Sequence, residues 1–274
     1  YDLSTPELLD LIRQYEINVV MTQPTVIHRM TLEAEEDLKA LGVKYIFLAG
    51  QSWTEQLRTD LQEAWGAVAM DAYGCNECAT AVASECIHHN GLHIAEADFW
   101  IEIIDWETGK PGEVGGDGEI VVPTLSRRGM PLVRYRTGDV ARFLPDEGRC
   151  RCGWPLRKLS RIRGRIDDML IIGSATNVFP DRIDRAVLGI PGISDYQLVI
   201  ERDGYKDILH LTVETDQEPP NLRKTLIDVM RTVAPIRLHY DRTGMLDFGR
   251  IESVPRGTLS AGRAKTARVI DRRR

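Results

Sequence analysis

Apolar positions in the first 73 residues follow two alternating rhythms. Leu8, Leu9, Ile12 and Tyr15 recur at helical spacing; Ser4 and Glu7 have the spacing of a capping box, and Pro6 suits a first helical turn. The short run Ile17–Met21 then predicts a buried strand ending at Gln23-Pro24. A helix is expected over Leu32–Leu41, stopped by Gly42, followed by a strand over Val43–Ala49, a helix over Thr54–Trp65 and a strand over Val68–Tyr73. This βαβ rhythm predicts a parallel sheet with helices on its faces. Function in such sheets gathers in the loops beyond the strand C-termini. Those loops are Thr22-Gln23-Pro24, Gly50-Gln51-Ser52 and Tyr73-Gly74-Cys75-Asn76-Glu77.

From about residue 81 the spacing shortens. Leu92–Ile94, Trp100–Ile104, Glu119–Val122 and Val140–Phe143 read as short strands between Gly/Pro turns, which predicts a β subdomain. A third pattern begins near Gly164. It comprises a strand over Met169–Ile172, a helix with Pro180 in its first turn, and a strand over Gln197–Glu201 turning at Asp203-Gly204. A strand over Ile208–Glu214, a helix over Asn221–Ala234 and a strand near Arg237–Tyr240 complete a βαββαβ order, expected of a small ferredoxin-like α+β domain. The fold class is therefore α/β: a sheet part over 1–80, a β subdomain over 81–166 and a small α+β domain over 167–274.

Composition narrows the function classes. At 43% hydrophobic and 28% charged residues, the 274-residue chain can bury real cores, which excludes disorder. Its longest apolar runs, Tyr45–Gly50 and Met169–Gly173, are far shorter than a membrane span, so no membrane partner is expected. The net charge of −6 argues against a nucleic-acid surface, although Arg263, Lys265, Arg268 and Arg272–Arg274 crowd the C-terminus. Five cysteines at irregular spacing do not make a secreted disulfide framework, and a reducing cytoplasm fits them better. A homodimer stays open as an assembly.

Four segments carry a resemblance. They are Tyr73-Gly-Cys-Asn-Glu77; Tyr135-Arg-Thr-Gly-Asp139; Gly164-Arg-Ile-Asp-Asp168 with Asn177-Val-Phe-Pro180; and Val254-Pro-Arg-Gly-Thr258 with Lys265-Thr-Ala-Arg-Val269. In this order the chain resembles the adenylate-forming acyl-CoA ligases, of the phenylacetate–CoA ligase type. The resemblance implies a partial adenylation domain followed by a mobile lid. It also implies ATP-dependent activation of a carboxylic, aromatic acid to an acyl-adenylate, then transfer to a thiol, coenzyme A. Transfer to an amine or carrier protein, and a zinc-stabilised non-catalytic remnant, are the alternatives.

By the same resemblance Tyr73 would stack on adenine, Glu77 would hold Mg²⁺ and Asp139 would bind the ribose hydroxyls. Lys265 would be the catalytic cation at the α-phosphate. Gly50, Gln51, Ser52, Asp71, Ala72, Gly74, Asn76 and Arg165 would line the ATP/AMP site, with Asp167 as hinge. Thr22, Gln23, Pro24 and Ala49 would border the acid, the small side chains leaving room for a flat ring; close strand packing explains those side chains equally well. The chain departs from the family in Asn76, where a hydroxyl is usual, in Gln51-Ser52, and in Gly173-Ser-Ala-Thr-Asn177, one residue longer and without its Arg. The family's Ser/Thr/Gly-rich phosphate loop is not among these residues. Since the chain opens at Tyr1 without an initiator Met, that loop is expected N-terminal to it, in a missing part of the same enzyme.

Cys150-x-Cys152 lies in a Gly-flanked turn, and Cys86 and His93 are seven apart. Three thiols and an imidazole form a donor set suited to structural Zn²⁺, and some phenylacetate–CoA ligase-like proteins carry such a site. His88 and His89 are alternative fourth ligands, Cys75 and Cys78 a rival pair, and free thiols the plainest reading.

Overall fold

The computed structural model describes residues 3–145, 148–173, 176–259 and 268–273. They fall into two compact units, Tyr1–Ile162 and Arg163–Arg274.

In the first unit the capping box forms as expected. The Glu7 carboxylate accepts from the Ser4 amide and hydroxyl, opening α1 (Thr5–Gln14), which buries Leu9 and Ile12. After β1 (Val19–Thr22) the chain enters α2 (Pro24–Glu33) directly. The helix expected over Leu32–Leu41 is therefore displaced. Pro24 opens a helix, because its missing N–H and fixed φ suit the first turn, and only a 3₁₀ turn at Leu38–Leu41 remains before Gly42. Next come β2 (Tyr45–Ala49), α3 (Glu55–Trp65, capped by the Thr54 hydroxyl) and β3 (Val68–Cys75).

Strands β1, β2 and β3 pair in parallel, with Thr22 beside Leu48 and Ala49 beside Ala72. Ile46 and Leu48 of β2 pack with Ile27, Leu61 and Trp65 of the helices in one core. The sheet continues antiparallel through β4 (Ala79–Ser84), β5 (Leu92–Ile94) and, after three further strands, β9 (Lys158–Leu159). Pairing of β3 with β4 carries the sheet across residue 80. A second antiparallel sheet contains β6 (Glu102–Ile104), β7 (Gly118–Val122) and β8 (Tyr135–Ala141). The Tyr135–Asp139 motif thus lies within β8. Gly138, at φ +74°, supplies the left-handed residue this strand needs.

The second unit is the expected small α+β domain. After the short extended pair β10 (Gly164–Arg165), β11 (Leu170–Ile172) and β12 (Thr176–Val178) form their own hairpin. Helix α4 (Pro180–Val187) leads into the long hairpin β13 (Ile193–Asp203) and β14 (Lys206–Thr215), followed by α5 (Leu222–Met230). The strand expected near Arg237–Tyr240 is helical: α6 (Ala234–Leu238) runs into a π-type turn at His239–Thr243. Pro235 in its first turn and burial of Ile236 and His239 favour helix there. The remaining sheet positions go to β15 (Leu246–Val254) beside β14 and β16 (Val269–Asp271) beside β13. This differs from the simple βαββαβ order, since the C-terminal strand, not the first, completes the sheet.

Candidate active site

Parallel pairing sets the C-terminal ends of β1, β2 and β3 side by side. The three loops singled out in the sequence therefore converge. Gln51 beyond β2 reaches the first turn of α2 beyond β1, its side-chain oxygen accepting from the Thr25 amide at 3.4 Å. Gly50 is left-handed at φ +81°. At the end of β3, Gly74 passes so near β4 that a Cβ would lie 2.2 Å from the Thr80 carbonyl oxygen, so no larger residue fits. Beyond it, Asn76 and Glu77 are exposed in the turn joining β3 to β4, closed by the Cys78 amide donating to the Cys75 carbonyl at 3.1 Å.

Tyr73 and Asp139, 66 positions apart, meet: the phenol donates to the Asp139 carboxylate at 2.8 Å. The Thr137 hydroxyl accepts from the Asp139 amide at 3.0 Å and fixes the other side of this residue. The Tyr73 ring is only 7% exposed and belongs to the core between the two sheets. Burial, then the nearby Asp139 charge, push its phenol well above the ordinary tyrosine range. Its hydroxyl orients the Asp139 carboxylate.

Asp71 is also turned inward. One carboxylate oxygen accepts from the Trp53 indole at 3.0 Å and the other from Arg161 at 2.9 Å. Burial raises its pKa in spite of the Arg161 charge. Both Asp71 carboxylate oxygens are thus taken by protein donors. Arg161 further donates to the Trp53 carbonyl and to Glu55, and the Arg161 and Arg58 guanidiniums lie 4.4 and 4.6 Å from the Trp53 ring centroid. Buried Arg58 is paired with buried Glu85 at 2.9 Å. This network braces the base of the Gly50–Ser52 loop. No local pattern signals it, because Arg161 and Asp71 are 90 positions apart.

Thr22, Gln23, Pro24, Ala49 and Ala72 all lie at these strand ends, with Gln23 capping and Pro24 opening α2. Arg165 and Asp167 stand at the start of the second unit, near the turn in which the Asp168 amide donates to the Arg165 carbonyl. Lys265 lies outside the described residues.

The second constellation is the thiol cluster. Cys86 follows β4, His93 is on β5, and Cys150 and Cys152 precede β9, which pairs with β5. Their four ligand atoms lie within 4.8 Å of one another. Cys86 Sγ and Cys150 Sγ are 3.8 Å apart, and Cys152 Sγ is 3.6 Å from His93 Nε2. A tetrahedron with Zn–S bonds of about 2.3 Å has edges of about 3.8 Å, so donor chemistry and spacing both fit Zn²⁺. His89 is taken up elsewhere, 2.7 Å from Arg58 and 3.3 Å from Glu85, and Cys75 and Cys78 lie outside the cluster.

Residues 2–125 match the AMP-binding enzyme family, and residues 175–273 match the AMP-binding enzyme C-terminal domain. The chain belongs to the adenylate-forming AMP-binding enzymes. Among curated relatives, the chain is 36% identical over 224 residues to a phenylacetate–coenzyme A ligase of Pseudomonas putida, covering 80% of this chain and 50% of that protein. It is 30% identical over 277 residues to the phenylacetate–coenzyme A ligase of Escherichia coli, covering 98% and 61%. The chain spans about half the length of the curated relatives it matches. The adenylate-forming fold is shared with 2-hydroxyisobutyryl-CoA ligase in complex with its acyl-AMP (TM-score 0.75, 23% identity, 97% of this chain and 57% of that one). It is also shared with an amide bond synthetase from Marinactinospora thermotolerans (TM-score 0.64, 19% identity, 92% and 52%).

Proposed function

We propose that this chain supplies the acid-binding floor and nucleotide-orienting groups of an ATP-dependent acid–CoA ligase. The ligase would convert an aromatic carboxylic acid to its acyl-adenylate and pass the acyl group to coenzyme A. Convergence of the loops beyond β1, β2 and β3 carries this reading. The acid would bind beside Thr22, Gln23, Pro24 and Ala49. The nucleotide would lie along Gly50, Gln51, Ser52, Ala72, Gly74 and Asn76. Asp139, its carboxylate already oriented by Tyr73, would accept hydrogen bonds from the ribose hydroxyls.

Glu77 offers an exposed carboxylate at a turn apex, which fits Mg²⁺, an ion held by few carboxylates together with substrate phosphates. The bound ion would screen the phosphate charge. Arg165 and Lys265 would supply fixed cations to the nucleotide, because charge developing at the attacked phosphate is best stabilised by preorganised partners. Asp167 would serve as the hinge of the lid. The Cys86, His93, Cys150 and Cys152 cluster would hold a structural Zn²⁺; four protein ligands leave no position for a reacting water.

Acid-dependent exchange of labelled pyrophosphate into ATP by the native protein tests this reading. Exchange that depends on an aromatic acid supports it, and its absence across a panel of acids overturns it.

A further inference from the structure

The connection between β7 and β8 is built toward Glu77. Its base is closed by the Thr124 amide donating to the Leu132 carbonyl at 2.9 Å and the Leu132 amide donating to the Thr124 hydroxyl at 3.0 Å. Asp98 anchors the next two residues: its carbonyl accepts from the Leu125 amide and its carboxylate from the Ser126 hydroxyl, both at 3.0 Å. With these fixed, Arg127 extends across to the β3–β4 turn and donates to the Glu77 backbone carbonyl at 2.6 Å.

Glu77 is otherwise an exposed side chain on a turn closed by one backbone hydrogen bond, which alone leaves the carboxylate direction open.

We propose that Arg127 is a positioning residue for Glu77: it clamps the carbonyl at the turn apex and so fixes where the carboxylate points. This rests on the reading of Glu77 as the metal-bearing acid. A guanidinium suits the task, since a charge-assisted hydrogen bond to a carbonyl is stronger than a neutral one. Fixing the ligand before the ion arrives removes ordering cost from binding. The Arg127 side chain leaves the carboxylate itself free to meet a cation, because it takes the backbone oxygen only.

Two measurements on the native protein test this. In the absence of nucleotide, Arg127→Ala should speed amide exchange at residues 76–79 about tenfold, and Arg127→Lys, which keeps one donor, should restore most of the protection. Unchanged exchange in Arg127→Ala overturns the clamp. In pyrophosphate exchange, Arg127→Ala should raise the half-saturating Mg²⁺ concentration several-fold and leave the KM for the acid unchanged. A rise in the acid KM with no change in Mg²⁺ dependence overturns the positioning role. Wild-type protein without acid-dependent exchange removes the functional reading of Glu77, while amide exchange still decides separately whether Arg127 holds the turn.

Discussion

Removing a metal from the cysteine–histidine cluster would release a cross-link between segments 64 residues apart. Treated as a loop closure, a link across that span stabilises the folded state by about 4 kcal/mol at 25 °C. Pairing of β4 with β5 and of β5 with β9 already closes much of the loop, so this is an upper bound. In a unit of this size each kcal/mol moves Tm by about 2–4 °C, so stripping the metal should lower Tm by up to about 16 °C. The assay is metal analysis of the purified protein together with thermal unfolding before and after a strong chelator. One equivalent of zinc, a chelator-induced fall in Tm, and loss of both in Cys150→Ser are expected. Less than about a tenth of an equivalent of zinc in the wild type, or a Tm indifferent to the chelator, would refute the reasoning.

Two further predictions concern stability. Asp71→Ala strands the Trp53 indole N–H and part of the Arg161 guanidinium, and should cost about 3 kcal/mol in urea unfolding; a loss below about 1 kcal/mol would show that the network is not structural. The capping box lowers the Glu7 pKa, chiefly through the Ser4 hydroxyl and then its amide. A carboxyl whose folded pKa is depressed stabilises above its unfolded pKa and loses that contribution as pH falls through the folded value. Ser4→Ala should therefore be less stable than wild type at neutral pH, and the gap should narrow as Glu7 protonates. Denaturant midpoints that differ equally at neutral and acid pH would contradict this.

What the sequence disclosed was chiefly what is local. The capping box at Ser4 and Glu7 and the alternation of helix with strand are written in neighbouring residues, and they form as expected. Gln23-Pro24 misled because proline both ends strands and opens helices; burial of Pro24, Ile27 and Met30 decides for α2. The segment after Ala234 misled for the same reason, with Pro235 starting α6. The four-ligand cluster was legible because soft donors at short spacings have few other uses, and β5–β9 pairing supplies the proximity that spacing lacked. Partners joined across the fold left no such trace. Asp71 with Arg161, Tyr73 with Asp139 and Arg127 with Glu77 are set by sheet register and loop anchoring, so the residue types alone could not show which carboxylates are already occupied.

The central claim is that these strand-end loops belong to an acid-activating site. It is tested most directly by pyrophosphate exchange of the native protein with ATP, Mg²⁺ and a panel of aromatic carboxylic acids. The account predicts incorporation of label into ATP that requires one of the acids and falls at least about tenfold in Asp139→Ala, which loses the ribose acceptor. Exchange that proceeds without acid, or survives Asp139→Ala at the wild-type rate, would contradict it.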